Sequence, residues 1–282
     1  CVKIGYELFG ITGSDVASRL VFAGTRFTIA GIMVVVGVSI AQRRALLPAK
    51  RDLGAIGILA LFQTVLQYFF FYGGLSHAAG VTSSIIGAAA YFFAILFAAL
   101  IFKTENLTRK AIIGCTIGFA GVVLVNLGGS GDAAFSFALD GEGFILLSSV
   151  AGAISTCFIA VLGRTHNSVL LSGWQFVTGG IVLLGCGLAM GGRLVPASPA
   201  PAVALILYMG FISAMAYTLW SRLLAANPVS RVSIFGFMTP VFGAAMSAVL
   251  LGETDAVNPL FALIALALVS AGIVIVNRPN SQ

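Results

Sequence analysis

The side chains able to do chemistry in this chain are few, and most lie inside long apolar runs. Gln63 and Gln67 stand four residues apart, and Phe71 and Gly74 continue their stripe. Ser84, Gly87 and Tyr91 recur at spacings of three and four. Trp174, Gln175 and Thr178 cluster, as do Ser213, Tyr217 and Trp220. On helices these spacings put each set on one face. The chemistry offered is recognition: amides and hydroxyls to fix a polar head, and rings to pack an apolar body. A cavity lined by Gln63, Gln67, Phe71, Ser84, Tyr91, Trp174, Gln175, Tyr217 and Trp220 suits a small zwitterion or amphipathic metabolite. Each residue also has a plainer use, since buried glutamines and serines hydrogen-bond neighbouring helices and aromatics line membrane interfaces.

Arg26 is the one charge expected well inside a span. It reads either as an anchor for a substrate carboxylate or phosphate, or as a structural arginine reaching headgroups or helix-end carbonyls. His77 is expected in the loop after the third helix. The two histidines stand 89 apart and the four cysteines (1, 115, 157 and 186) have no metal or redox spacing, so neither a catalytic nor a metal site is expected. No cofactor is implied. Asp52, Glu105 and Glu253 fall near helix ends, which leaves no carboxylate in mid-span to bind a coupling ion. Were the chain a carrier, its transport would be uncoupled or exchange-type, or its coupling would use His77, a backbone site or a helix outside this sequence.

The elements that position these residues follow from composition. Hydrophobic residues make up 59% of the 282 and charged residues 9%, too few charges to cover a soluble domain. Lipid as outer solvent removes that difficulty, and it forces every backbone amide to find a partner within its own helix. Nine apolar segments are each long enough to cross, at 18–40, 53–75, 82–102, 108–127, 142–162, 168–190, 201–221, 231–251 and 257–276. The net charge of +6 fits membrane topology and anionic lipid, with no nucleic acid implied. No GxxxxGK[ST] motif occurs, so neither ATP use nor an ATPase subunit is implied.

The segments repeat. Residues 24–93 align with 173–242 at an offset of 149: Gly24, Phe27, Gly31 and Ile32 with Gly173, Phe176, Gly180 and Ile181. Tyr68, Leu75, Ser84, Ile85, Gly87 and Phe93 align in the same way with Tyr217, Leu224, Ser233, Ile234, Gly236 and Phe242. Gly121 to Asn126 aligns with Gly272 to Asn277. Segment 142–162 lacks a first-half partner, and Cys1-Val-Lys3 resembles Cys157-Phe-Ile159. Residues 1–8 therefore read as the tail of a first helix that is largely missing from this chain. The expectation is an all-α membrane protein with ten spans in a five-plus-five inverted repeat. The first repeat occupies 1–127, an exterior linker 128–141 and the second repeat 142–282.

An odd number of spans per repeat turns the second repeat upside down. The charges agree. With a cytoplasmic N-terminus, eleven Lys and Arg fall inside (Arg43, Arg44, Lys50, Arg51, Lys103, Arg109, Lys110, Arg164, Arg222, Arg231 and Arg278) against Lys3, Arg19 and Arg193 outside. Both termini are then cytoplasmic.

Further motifs carry a resemblance. They are Arg26-Phe27, Ala225-Ala226-Asn227-Pro228, Thr239-Pro240-Val241-Phe242, Gly252-Glu253 and Gly272 to Asn277. Together they resemble the drug/metabolite transporter superfamily, in particular its EamA-type ten-helix members, over the whole chain. The resemblance implies a bacterial inner-membrane carrier that exports or exchanges amino acids or other small metabolites. Departures are Tyr91 opposite Pro240 and Gln175 opposite Arg26. The partners implied are a small-molecule substrate and the bilayer, with monomer and homodimer both open. Alternatives are a passive channel or facilitator for a small polar solute, a carrier for a non-amino-acid metabolite, and, least favoured by the residues, an intramembrane enzyme.

Overall fold

The computed structural model describes residues 2–12, 15–78, 80–127, 138–196, 198–251 and 259–278. Most of the expected linker, together with Asp132, Gly252, Glu253 and Asp255, lies outside them. The described residues are helical, with no strand among them. A short α1 (Val2–Leu8) precedes α2 (Val16–Ala41), α3 (Lys50–Leu75), α4 (Gly80–Leu100), α5 (Arg109–Leu127), α6 (Leu139–Leu162), α7 (Ser168–Ala189) and α8 (Pro199–Ala226). Then come α9, at 229–251, and α10 (Pro259–Asn277). Each of the nine apolar segments expected from the sequence falls on one of these helices. Seven stretches of the described residues are long and apolar enough to cross a membrane. The 26 residues of α2 extend about 39 Å, more than the ~30 Å of a hydrocarbon core. Exposed Tyr208, Phe211, Met215 and Leu219 on α8 give it an apolar outer face of the kind lipid solvates.

The ends are set by local chemistry. Asp15 accepts from the Ser18 amide (2.9 Å) to start α2, and Asn167 accepts from Val169 and Leu170 (3.0 and 3.2 Å) to start α7. Two helices are irregular. A π-helical turn at Ala60–Leu66 interrupts α3, and a 3-10 turn at Ile234–Phe237 interrupts α9. Gln63 lies within the π turn and Gln67 directly follows it, and at its wider winding residues four apart still lie close to one face.

The helices form two compact units, and neither matches a sequence half. Unit 1 comprises residues 1–76 and 158–226, and unit 2 comprises 77–157 and 227–282. Within unit 1, α2 and α7, which are repeat equivalents, cross in contact. A Cβ on Gly31 would lie 2.6 Å from the Gly173 carbonyl oxygen, and one on Gly180 would lie 2.6 Å from the Thr28 amide. Going back along α7 from Gly187 through Gly180 to Gly173, the partner on α2 advances from Val21 through Thr28 to Val34. The two helices are therefore antiparallel. Glycine at these positions lets the backbones approach. Gly179 packs against Thr64 of α3.

Unit 2 repeats the device. Gly114 of α5 lies against Gly272 and Val276 of α10, and Gly121 lies against Ala265 and Val269. That pair is antiparallel too. Its core gathers Ile95, Cys115, Val122, Ile234, Phe237 and Val269. Ser149 Oγ donates to the Ile86 carbonyl (2.9 Å) and Cys157 Sγ to that of Ala94 (3.4 Å), tying α6 to α4. Glu105 accepts from the Ser230 amide (3.0 Å) and hydroxyl (2.9 Å). Its charge thus sits at the positive start of α9.

Candidate functional site

Unit 1 builds an aromatic cluster around Phe27, which is fully buried on α2. The Phe176 ring of α7 stacks on it with centroids 5.1 Å apart and planes within 3°. Tyr68 of α3 tilts against it at 4.4 Å, and Tyr217 of α8 meets it edge-on at 6.4 Å. The Tyr68 and Tyr217 hydroxyls hydrogen-bond to each other. Phe71 and Tyr72 extend the cluster along α3. Both Phe27–Phe176 and Tyr68–Tyr217 are pairs of repeat equivalents in direct contact.

Arg26 enters this cluster. Its guanidinium carbon lies 4.4 Å from the Phe27 ring centroid, and the residue is 8% exposed. Tyr72, Tyr68, Tyr217 and Tyr6 all lie near enough to act on its charge. Arg26 Nε is buried without a hydrogen-bond partner, and among the described residues no carboxylate pairs with it. One turn pair nearer the start of α2, Arg19 is 7% exposed and sits 5.3 Å over the Tyr6 ring. Its Nε and Nη1 are likewise buried without partners. Removing an uncompensated guanidinium from water costs several kcal/mol. A cation–π contact returns only about 0.5–2 kcal/mol.

The expected residues divide as follows. Arg26, Phe71 and Tyr217 meet in the cluster. Gln63 is buried on the π turn, and its neighbour Thr64 donates to Gln175 Oε1 (2.8 Å). Gln175 is fully buried, with Nε2 lacking a partner. Gln67 and Trp220 are half-buried on α3 and α8. Trp174 serves the scaffold, its indole N–H donating to the Leu46 carbonyl (2.7 Å) while the Leu46 amide donates to Ser39 Oγ (2.9 Å). Ser84 and Tyr91 belong to unit 2. Tyr91 packs edge-on against Phe237 (5.6 Å) and over Gly236. His77 is in the turn after α3 and exposed, as the sequence suggests.

Sequence reasoning missed Arg19, Tyr6, Phe27, Thr64, Tyr68, Tyr72 and Phe176. A signal existed for some. Tyr68 and Phe27 recur in the repeat, and Arg19 and Arg26 are seven apart, two helical turns on one face.

Comparison with known proteins agrees with this architecture. The model of the EamA-like transporter family matches residues 7–127 and 139–278. The chain belongs to that family and is a multi-pass membrane protein. It is 25% identical to the WAT1-related chloroplastic protein At3g02690 of Arabidopsis thaliana, over 98% of this chain and 66% of that one, just under two thirds of its length. An uncharacterized transporter of Archaeoglobus fulgidus is 28% identical over 84% of this chain and 81% of its own. A protein of Salmonella typhimurium named "Probable amino-acid metabolite efflux pump" is 28% identical over 62% of this chain and 60% of its own. A solved crystal structure superposes with a TM-score of 0.78 at 17% identity, over 97% of this chain and 94% of that one. That likeness is one of fold.

Proposed function

We propose that this protein is a secondary carrier of small carboxylate-bearing metabolites, amino acids among them, in a bacterial inner membrane. The observation that carries the reading is Arg26, buried without an acidic partner in a cluster of rings and phenols. A carboxylate supplies the missing anion, Tyr68 and Tyr217 offer hydroxyls beside it, and Phe27, Phe71 and Phe176 pack the rest of the substrate. The Salmonella relative's name and the family support a metabolite substrate.

The carrier works by alternating access between two inverted five-helix repeats, with both termini cytoplasmic. The antiparallel contacts of α2 with α7 and of α5 with α10, together with the meeting of equivalent residues, support the inversion. With no mid-span acid among the segments read, movement is export or exchange, uncoupled unless His77, a backbone site or a helix outside this sequence couples it.

Counterflow tests this. Proteoliposomes holding the full-length protein are loaded with unlabelled amino acids, and uptake of each labelled one is followed for wild type, Arg26→Gln and Arg26→Lys. Trans-stimulated, saturable uptake that Arg26→Gln abolishes is the expected result. Flux that rises linearly, without trans-stimulation, is that of a passive channel and overturns the carrier reading.

A further inference from the structure

We infer that Arg19 and Arg26 together receive the two acid groups of a small dicarboxylate, with or without an amino group. The inference rests on the carrier reading above and narrows its substrate class. The two arginines project from α2 seven residues apart, so they share a face with their Cα atoms about 10 Å apart along the axis. Both are more than nine-tenths buried. Arg19 Nε and Nη1 and Arg26 Nε have no hydrogen-bond partner. Among the described residues neither arginine makes an ion pair. The nearest acid in sequence, Asp15, caps α2 through the Ser18 amide.

Tyr6 belongs to the same site. Its ring lies under Arg19, and its buried hydroxyl stands beside that of Tyr72. Tyr6 also lies near enough to both arginines to feel their charge. The site therefore presents two fixed positive charges and tyrosine hydroxyls, with no counter-charge. A neutral zwitterion cancels neither charge overall, and its single carboxylate satisfies one guanidinium. Two carboxylates satisfy both, each by the paired N–H donors that guanidinium presents to carboxylate. Where the substrate carries an ammonium, the ring faces of the cluster receive it.

The test uses full-length protein in proteoliposomes. Counterflow is measured for labelled succinate, glutamate, glutamine, alanine and inorganic phosphate. Arg19→Gln and Arg19→Lys are compared with wild type after each is shown to be monodisperse in detergent. Wild type is expected to exchange succinate or glutamate at least about tenfold better than alanine. Arg19→Gln shifts preference from glutamate to glutamine, and Arg19→Lys keeps the wild-type order. A merely structural arginine does not produce that switch. Exchange of alanine with succinate and glutamate inert leaves the carrier intact and overturns this inference. Phosphate exchanging in their place also overturns it. Exchange of nothing overturns both. If Arg19→Gln does not fold, Arg19→Lys and the wild-type substrate order still decide.

Discussion

Tyr68 and Tyr217 occupy equivalent positions 149 residues apart, and their hydroxyls share one hydrogen bond. The Phe27–Phe176 stack brings a second pair of equivalent residues together in the same cluster.

The two phenols form a coupled pair. Tyr68→Phe and Tyr217→Phe each strand the other hydroxyl in a dry cluster, whereas the double change removes both. Each single variant is expected to lose about 1–2 kcal/mol, and the double variant less than the sum. A double-mutant cycle read by thermal unfolding in detergent checks this. Strict additivity would contradict the bond.

Close approach of α2 and α7 sets a second prediction. Gly31→Val drives a side chain into the Gly173 carbonyl and Val177, costing about 1–3 kcal/mol and lowering Tm by several degrees. Gly37 on the same helix has nothing within 4 Å of the place a Cβ would take, so Gly37→Ala leaves Tm within a degree or so.

Gln175 and Thr64 make a third case. Gln175→Leu removes an unpartnered Nε2 but leaves the Thr64 hydroxyl without its acceptor. Adding Thr64→Val removes that remaining group as well. The double variant is expected to be more stable than Gln175→Leu alone by about 1 kcal/mol. Denaturation midpoints of the two proteins decide it.

In unit 2, Gly236→Ala forces a methyl into the Tyr91 ring. We expect loss of folded yield, recovered by Tyr91→Leu in the same chain. If Tyr91→Leu fails to rescue, the ring is not what excludes a side chain at 236.

Much of the helix plan was legible because lipid permits only apolar helices, and nine apolar runs betray their positions without help from tertiary contacts. The π turn at Ala60–Leu66 was not legible. Its residues Ala, Leu, Phe, Gln, Thr and Val suit an ordinary helix equally well, and the turn lies against α7, where Thr64 meets Gln175 and Gly179. The site was legible in part. Arg26 and Tyr217 stood out, but repeat equivalence says that Tyr68 and Tyr217 have like surroundings, and says nothing of their touching. Trp174 and Tyr91 looked equally suited to a ligand, and geometry gives one to the Leu46 carbonyl and the other to Gly236. A polar aromatic carries the same signal in sequence whether it meets substrate or backbone.

The crossing of α2 with α7 has a bearing on how the protein is made. Phe27 leaves the ribosome 149 residues before the ring that stacks on it. At ordinary synthesis rates that is a wait of roughly 7–30 s. Through that interval the glycine face of α2 and the buried edge of Arg26 have only lipid, the insertion machinery or chaperones for company. Every nascent copy therefore passes through a stage in which α2 stands without the helix that later covers its glycine face.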